Sequence, residues 1–234
     1  MSARAEDLFQ IVRRLFTPHP WHGVSIGAEA PEKVNVFVEI VPTDTIKYEI
    51  DKTSGFLKVD RPQRYSNVCP AIYGFIPQTY CGDRVGALCS QRTGRPGIKG
   101  DGDPLDICVL SEKVVAHGNV LLEAVPIGGL RMIDGDQADD KILAVMKGDA
   151  VYGDLLEVAD ASPKLIDRLR HYFLTYKDVP GGRDPIVEVA EVYDREAAHE
   201  VIRRCREDYL AKFGDLEKAF AETLRAALSR EESA

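Results

Sequence analysis

The sequence lacks paired cysteines. Cys69, Cys81, Cys89, Cys108 and Cys205 form an odd set with no Cys-x-x-Cys spacing, which excludes a zinc ribbon and a complete disulfide framework. They read as reduced thiols, with Cys108, inside the apolar run Ile107 to Leu110, as a small buried hydrophobe. Long apolar runs are missing too: stretches such as Ile107 to Leu110 and Ile142 to Met146 have strand length and are far too short to cross a bilayer. Arg4, Glu6, Asp7, Arg13 and Arg14 break up the apolar positions that a signal peptide needs. A cytoplasmic chain with no membrane partner is therefore expected. No basic stripe offsets the net charge of −8, which argues against a nucleic-acid partner. There is no Gly-x-x-x-x-Gly-Lys-Ser/Thr loop, no Gly-x-Ser-x-Gly elbow and no paired Cys/His nucleophile site, and His19, His22, His117, His171 and His199 show no ligand spacing. Covalent catalysis is disfavoured on these grounds.

What is present suits one compact domain over residues 1–234, with 44% hydrophobic and 29% charged residues, ordinary for a soluble globular protein. Leu8, Ile11, Val12, Leu15 and Phe16 are spaced for one face of a helix that stops before Pro18. From Val34 the period changes to two, and Val34 to Val38 and Ile46 to Ile50 read as strands. In the second, Lys47 and Glu49 share a face and project together. Asp51 to Gly55 has turn chemistry, and Phe56 to Val59 reads as the return strand of a hairpin. Further strands are expected at Ile107 to Leu110, Asn119 to Ile127, Leu130 to Ile133 and Ile142 to Val145. A small closed or half-closed barrel is the economical way to bury so many short strands. The stretch Gly82 to Gly100, rich in Gly, Arg and Ser, reads as a mobile surface loop. Ser162 and Pro163 open a helix whose stripe is Leu165, Ile166, Leu169, Tyr172 and Phe173. A strand at Ile186 to Val192 and a long helix from about Arg195, broken near Gly214, follow. A last helical pattern runs from Leu216 to Leu228.

The densest chemistry is Gly100-Asp101-Gly102-Asp103-Pro104-Leu105-Asp106. On an extended backbone Asp101 and Asp103 point the same way, and Pro104 helps turn the chain before Asp106. Carboxylates held this close must take up protons or neutralise their charge with metal, and hard oxygen ligands point to magnesium, manganese or calcium. Asp-Gly-Asp runs also mark solvated turns. Glu112 falls where an EF-hand starting at Asp101 places its glutamate, but Asp106 replaces the required glycine and no helix pair flanks the loop. A second acidic stretch, Asp134 to Lys141, ends in a lysine suited to a phosphate oxygen. Together the two stretches suggest metal-assisted phosphoryl chemistry.

The order of the pieces adds more. Ile46-Lys47-Tyr48-Glu49-Ile50-Asp51-Lys52, Val59-Asp60-Arg61, Tyr73-Gly74-Phe75-Ile76, Gly100 to Asp106, Asp134 to Lys141 and Tyr176-Lys177-Asp178 resemble the soluble family I inorganic pyrophosphatases, whose signature is the Asp-x-Asp-Pro-x-Asp segment. The match runs from about Val34 to Asp178, and the chain resembles the longer, loop-inserted bacterial members. The N-terminal helix and the extension past Arg206 fall outside it. The resemblance implies an α+β fold, mainly β with flanking helices, built on an OB-like five-stranded closed β-barrel. It implies hydrolysis of inorganic diphosphate dependent on several Mg2+ ions per site, with Mn2+ as a substitute. Asp101, Asp106 and Asp139 correspond to the main metal ligands, with Asp134 assisting and Glu39 and Glu49 nearby. Asp103 corresponds to the carboxylate that deprotonates the attacking water. Lys47, Arg61, Tyr73, Lys141, Tyr176 and Lys177 correspond to the phosphate-holding set. A homo-oligomer is expected. Two departures stand out: Cys69 replaces a tyrosine common in the family, and Gly135 stands where many members have an acidic residue.

Overall fold

The computed structural model describes residues 19–177 and 187–214, with positions 218 and 222 alone beyond them. The helices expected at Ala3 to Phe16 and Leu216 to Leu228 lie outside the described residues.

Strands β1 (Val34–Ile40), β2 (Ile46–Ile50), β3 (Leu57–Pro62) and β4 (Ile72–Phe75) come first, followed by helix α1 (Asp83–Thr93). Next are β5 (Lys99–Gly100), β6 (Asp106–Leu110), β7 (Val120–Asp134), β8 (Gln137–Ala138) and β9 (Lys141–Met146). Helix α2 (Pro163–Thr175), β10 (Val187–Tyr193) and helix α3 (Arg195–Phe213) complete the described order. The sheet order β1-β4-β6-β9-β7, together with a pairing of β1 to β7, closes a five-stranded ring. This is a mainly β barrel with helices against it. The hairpin β2–β3 forms a separate two-stranded ribbon.

β7 makes the closure possible. Its first residues pair with β1, its middle with β9 and its last with β10. A register shift between Pro126 and Gly128 bends it on the way, as a bulge does. The two strands expected at Asn119 to Ile127 and Leu130 to Ile133 are thus one long strand, since the irregularity reads in sequence as a break while the ladder continues through it. β4 was not anticipated. It has only four residues, too few for a period to show.

The apolar runs of β6 and β9 carry no alternation because both of their faces are covered. Ile107, Val109, Ile142 and Ala144 join a core that includes Val201, Ile202 and Cys205 of α3. Cys108, Leu110, Leu143 and Val145 join one that includes Leu169 and Phe173 of α2. All five cysteines are free and buried.

The largest correction concerns Gly82 to Gly100. Residues Asp83–Thr93 form an α-helix whose buried residues are Val85, Gly86, Leu88 and Cys89. So narrow an apolar face, flanked by Arg84, Gln91 and Arg92, has little periodic signal, and packing rather than propensity stabilises it.

Gly74 shows how tightly β1, β4 and β6 meet. It pairs with Val38 and with Ile107, and a Cβ there would lie 1.9 Å from the Phe37 carbonyl oxygen. Backbone cannot yield as a flexible side chain can. Gly74→Ala is expected to destabilise the protein by about 3 kcal/mol, measured by denaturant unfolding; a loss near zero would show that β1 and β4 can separate freely.

Candidate active site

β6 and β9 run parallel with Asp106 opposite Lys141. Strands that run parallel start at the same end, so the acidic loops preceding them meet there. The two-residue strands β5 and β8 join these loops directly, pairing Lys99 with Gln137 and Gly100 with Ala138. Lys99 N–H also donates to the Asp136 carbonyl at 3.0 Å.

In the first loop the backbone does not stay extended. Gly102 has φ +80°, and the Asp103 N–H donates to Asp101 Oδ1 at 2.9 Å. Asp101 and Asp103 consequently do not share a face by strand alternation, as the spacing had suggested. Asp101 sits close enough to Asp139 and Lys141 to feel both charges, while Asp103 pairs with Lys52.

The site alternates in charge. Lys141, with 3% of its side chain exposed, lies between Asp106 and Asp139. Lys177 pairs with Asp134. Lys47 Nζ is 3.1 Å from Glu49 and 2.8 Å from Asp60, and Arg61 Nη1 reaches the same Asp60 oxygen at 2.6 Å. Burial opposes the ammonium charge in every case, and the carboxylates outweigh it. Lys47, Lys52, Lys141 and Lys177 are all held above the ordinary lysine range. Tyr176, the C-cap residue of α2, brings its ring 5.9 Å from the Arg61 guanidinium carbon. Burial, and then Asp106 and Asp139, push the Tyr73 phenol far up, so it remains a neutral donor. The barrel thus gathers Asp101, Asp106, Asp134, Asp139, Lys141 and Tyr73 around the ends of β4, β6 and β9. Lys47, Glu49 and Arg61 arrive on the β2–β3 ribbon.

Sequence reasoning missed Lys52 and Asp60. Each lies inside a recognised block, but a contact between Lys52, in the hairpin turn, and Asp103 spans 51 positions of chain and leaves no local pattern. The two departures are explained differently. Cys69 is buried against the α2 core, and burial pushes its thiol up to about 12, so it is an inert filler. Gly135 sits in the turn before β8 with φ +63° and open space around it.

The donor chemistry fits a divalent cation. Asp101, Asp106, Asp134 and Asp139 offer hard oxygens, and burial with repulsion from Asp139 pushes the Asp101 carboxyl up to about 8. The lysines therefore leave negative charge uncompensated. Among the described residues, no group of three or more His, Cys, Asp or Glu side chains is already disposed around a metal position. Lysines stand between the carboxylates, so binding a cation means exchanging ammonium for metal.

Comparison with known proteins agrees with this arrangement. A sequence model of the inorganic pyrophosphatase family matches residues 36–210. An inorganic pyrophosphatase of Chlamydia trachomatis is 47% identical over 199 residues, covering 83% of this chain and 95% of that protein. The soluble inorganic pyrophosphatase 3 of Arabidopsis thaliana is 37% identical, covering 84% and 81% of the two chains. The crystal structure of the inorganic pyrophosphatase from Thermus thermophilus superposes with a TM-score of 0.68 at 30% identity, over 82% of this chain and 99% of that one. The class these matches define is a hydrolase, and the chain belongs to the inorganic pyrophosphatase family. Its branch is family I. The match runs well beyond Asp178, through β10 and into α3, further than the motif blocks reach.

Glu39 yields a test. It is 5% exposed and accepts the Ile50 N–H at 2.7 Å, and burial, followed by the charge of Asp106, pushes its carboxyl up to about 8. Between the ordinary carboxyl range and that value the folded chain keeps a proton that the unfolded chain has released. Stability of the metal-free protein therefore falls as pH rises through this window. Glu39→Gln is expected to stabilise the metal-free protein by about 2 kcal/mol at pH 7 and hardly at all at pH 4. Denaturant unfolding in chelator at both pH values measures it, and a pH-independent gain would assign the effect to packing instead.

Proposed function

We propose that the chain hydrolyses inorganic diphosphate to two phosphates, with Mg2+ as its metal and Mn2+ as a substitute. The observation that carries this reading is the alternation of charge: Asp103, Asp106, Asp134 and Asp139 each rest against a lysine. Carboxylates suited to cations and ammonium groups suited to phosphate oxygens stand side by side, each satisfying the other. Metal and diphosphate together present the same two charges in the opposite places.

In this reading Asp101, Asp106 and Asp139 hold the metal, with Asp134 assisting and Glu39 and Glu49 in support. A divalent cation held by these carboxylates would supply positive charge beside them and lower the pKa of water. Asp103 would take the proton of the attacking water as the water oxygen bonds to phosphorus. The bridging P–O bond breaks, and its electron pair leaves with the departing phosphate. Lys47, Lys141 and Lys177 act as point charges on phosphate oxygens, Arg61 grips them through paired donors, and Tyr73 and Tyr176 donate neutral hydrogen bonds. Lys52 orients the Asp103 carboxylate. Placement and charge complementarity supply most of the acceleration.

Phosphate release from magnesium diphosphate is the direct assay. Asp103→Asn is expected to lower kcat about 100-fold or more, and chelation of Mg2+ to abolish release. A folded Asp103→Asn protein turning over at the parent rate, or faster hydrolysis of ATP than of diphosphate, would overturn this assignment.

The reading places the enzyme in the cytoplasm as a homo-oligomer, acting on a small molecule. Light scattering is expected to give a multiple of 25.9 kDa; the mass of one chain at assay concentration would exclude the oligomer.

A further inference from the structure

Helix α1 begins without a cap of its own. Its N-cap residue is Gly82, which offers no side-chain acceptor. The acceptor comes from α3, where Asp208 is 4% exposed. Its carboxylate receives the backbone N–H groups of Gly82 at 3.1 Å, Arg84 at 3.0 Å and Val85 at 3.2 Å, together with Arg84 Nη1 at 3.0 Å. A buried carboxylate over the first turn satisfies donors that have no partner within the helix, and it faces the positive end of the helix dipole. Without it those N–H groups would be left desolvated and unpaired.

The residue just before this turn is tied to the acidic loop. Cys81 N–H donates to the Asp103 carbonyl at 2.8 Å, and the Cys81 carbonyl accepts Gly102 N–H at 3.0 Å. Gly100 lies against the same segment so closely that a Cβ would come within 2.1 Å of the Cys81 oxygen. On the other side, Tyr80 N–H donates to the Cys205 carbonyl of α3 at 3.0 Å. The stretch from Tyr80 to Val85 therefore hangs between α3 and the loop that carries Asp101 and Asp103. No slack separates them.

We propose that Asp208 is a positioning residue for that loop: by capping α1 from α3 it fixes Cys81 and, through two backbone hydrogen bonds, the setting of Asp101 and Asp103 for metal. This rests on the diphosphatase reading of the loop. Asp208 bonds the first turn of α1 and is outside the set assigned to metal and phosphate, so its removal weakens cation binding without altering the groups that perform the reaction.

The test uses the full chain and Mn2+ alone, followed by electron paramagnetic resonance of the free ion. Asp208→Asn is expected to raise the dissociation constant of the tightest Mn2+ site about 10-fold, as loss of a group supporting metal ligands does. In phosphate release the Mg2+ concentration for half-maximal rate should rise while kcat at saturating Mg2+ stays near the parent's. An Asp208→Asn protein that melts like the parent and binds Mn2+ with parent affinity would overturn the proposal. Amide exchange on the parent covers the case in which the variant does not fold, since linkage is reciprocal. Mn2+ should slow exchange at Gly82, Arg84 and Val85; slowing confined to residues 100–106 would equally overturn it. Absence of Mg2+-dependent phosphate release from the parent would instead refute the reaction, and the Mn2+ measurements would still decide whether Asp208 sets the loop.

Discussion

The pairing of Lys141 with Asp106 and Asp139 is the constraint from which the rest of the site follows. An ammonium group with 3% of its side chain exposed is tolerable only between carboxylates. Those carboxylates reach it because β6 and β9 run parallel with Asp106 opposite Lys141. Parallel neighbours cannot be joined by a tight turn, and the chain makes the crossover through β7, the long bent strand that also closes the barrel. Barrel closure, strand direction and the meeting of the two acidic loops are one geometric fact seen from three sides.

Around this centre the charges are matched pairwise but not in sum. Lysines on the β2–β3 ribbon, in the hairpin turn, at the start of β9 and after α2 each take a carboxylate. Asp101 and Glu39 still carry enough uncompensated repulsion and burial to be pushed up to about 8. A site built this way satisfies its charges in pairs, and a cation and an anion arriving together would each replace a contact the protein already makes. The buried Cys69 fits the same logic: as a neutral thiol against the α2 core it adds no charge for the site to balance.

The helices attach to the site by different means. α2 delivers Tyr176 and Lys177 from its C-terminal end and covers one core with Leu169 and Phe173. α3 covers the other core with Val201, Ile202 and Cys205, and through Asp208 it holds the first turn of α1. The backbone before that turn is bonded to the acidic loop, so a helix near the end of the described chain reaches that loop without a side chain in it.

Some of this was legible in the sequence because its cause is local. Alternation in Ile46 to Ile50 placed Lys47 and Glu49 on one face, where they meet at 3.1 Å, and the stripe from Leu165 to Phe173 after Ser162-Pro163 marked α2. Crowded aspartates at Asp101 to Asp106 and Asp134 to Asp139 announced an acidic site, since like charges packed into a few residues need a counter-charge wherever the chain puts them. Other features were not legible because their causes are distant. Asp83–Thr93 has too narrow an apolar face to declare a helix, and its cap is Asp208 on another element. Lys52 meets Asp103 only once the ribbon folds over the loop, and the turn at Gly102 cancelled an alternation that two spaced aspartates seemed to promise. The sequence by itself determined which kinds of group the site would contain, because side-chain chemistry and local period travel with the residues. Only the tertiary structure decided which carboxylate faces which lysine, because that depends on the direction in which β6 and β9 pair and on the helix that caps α1.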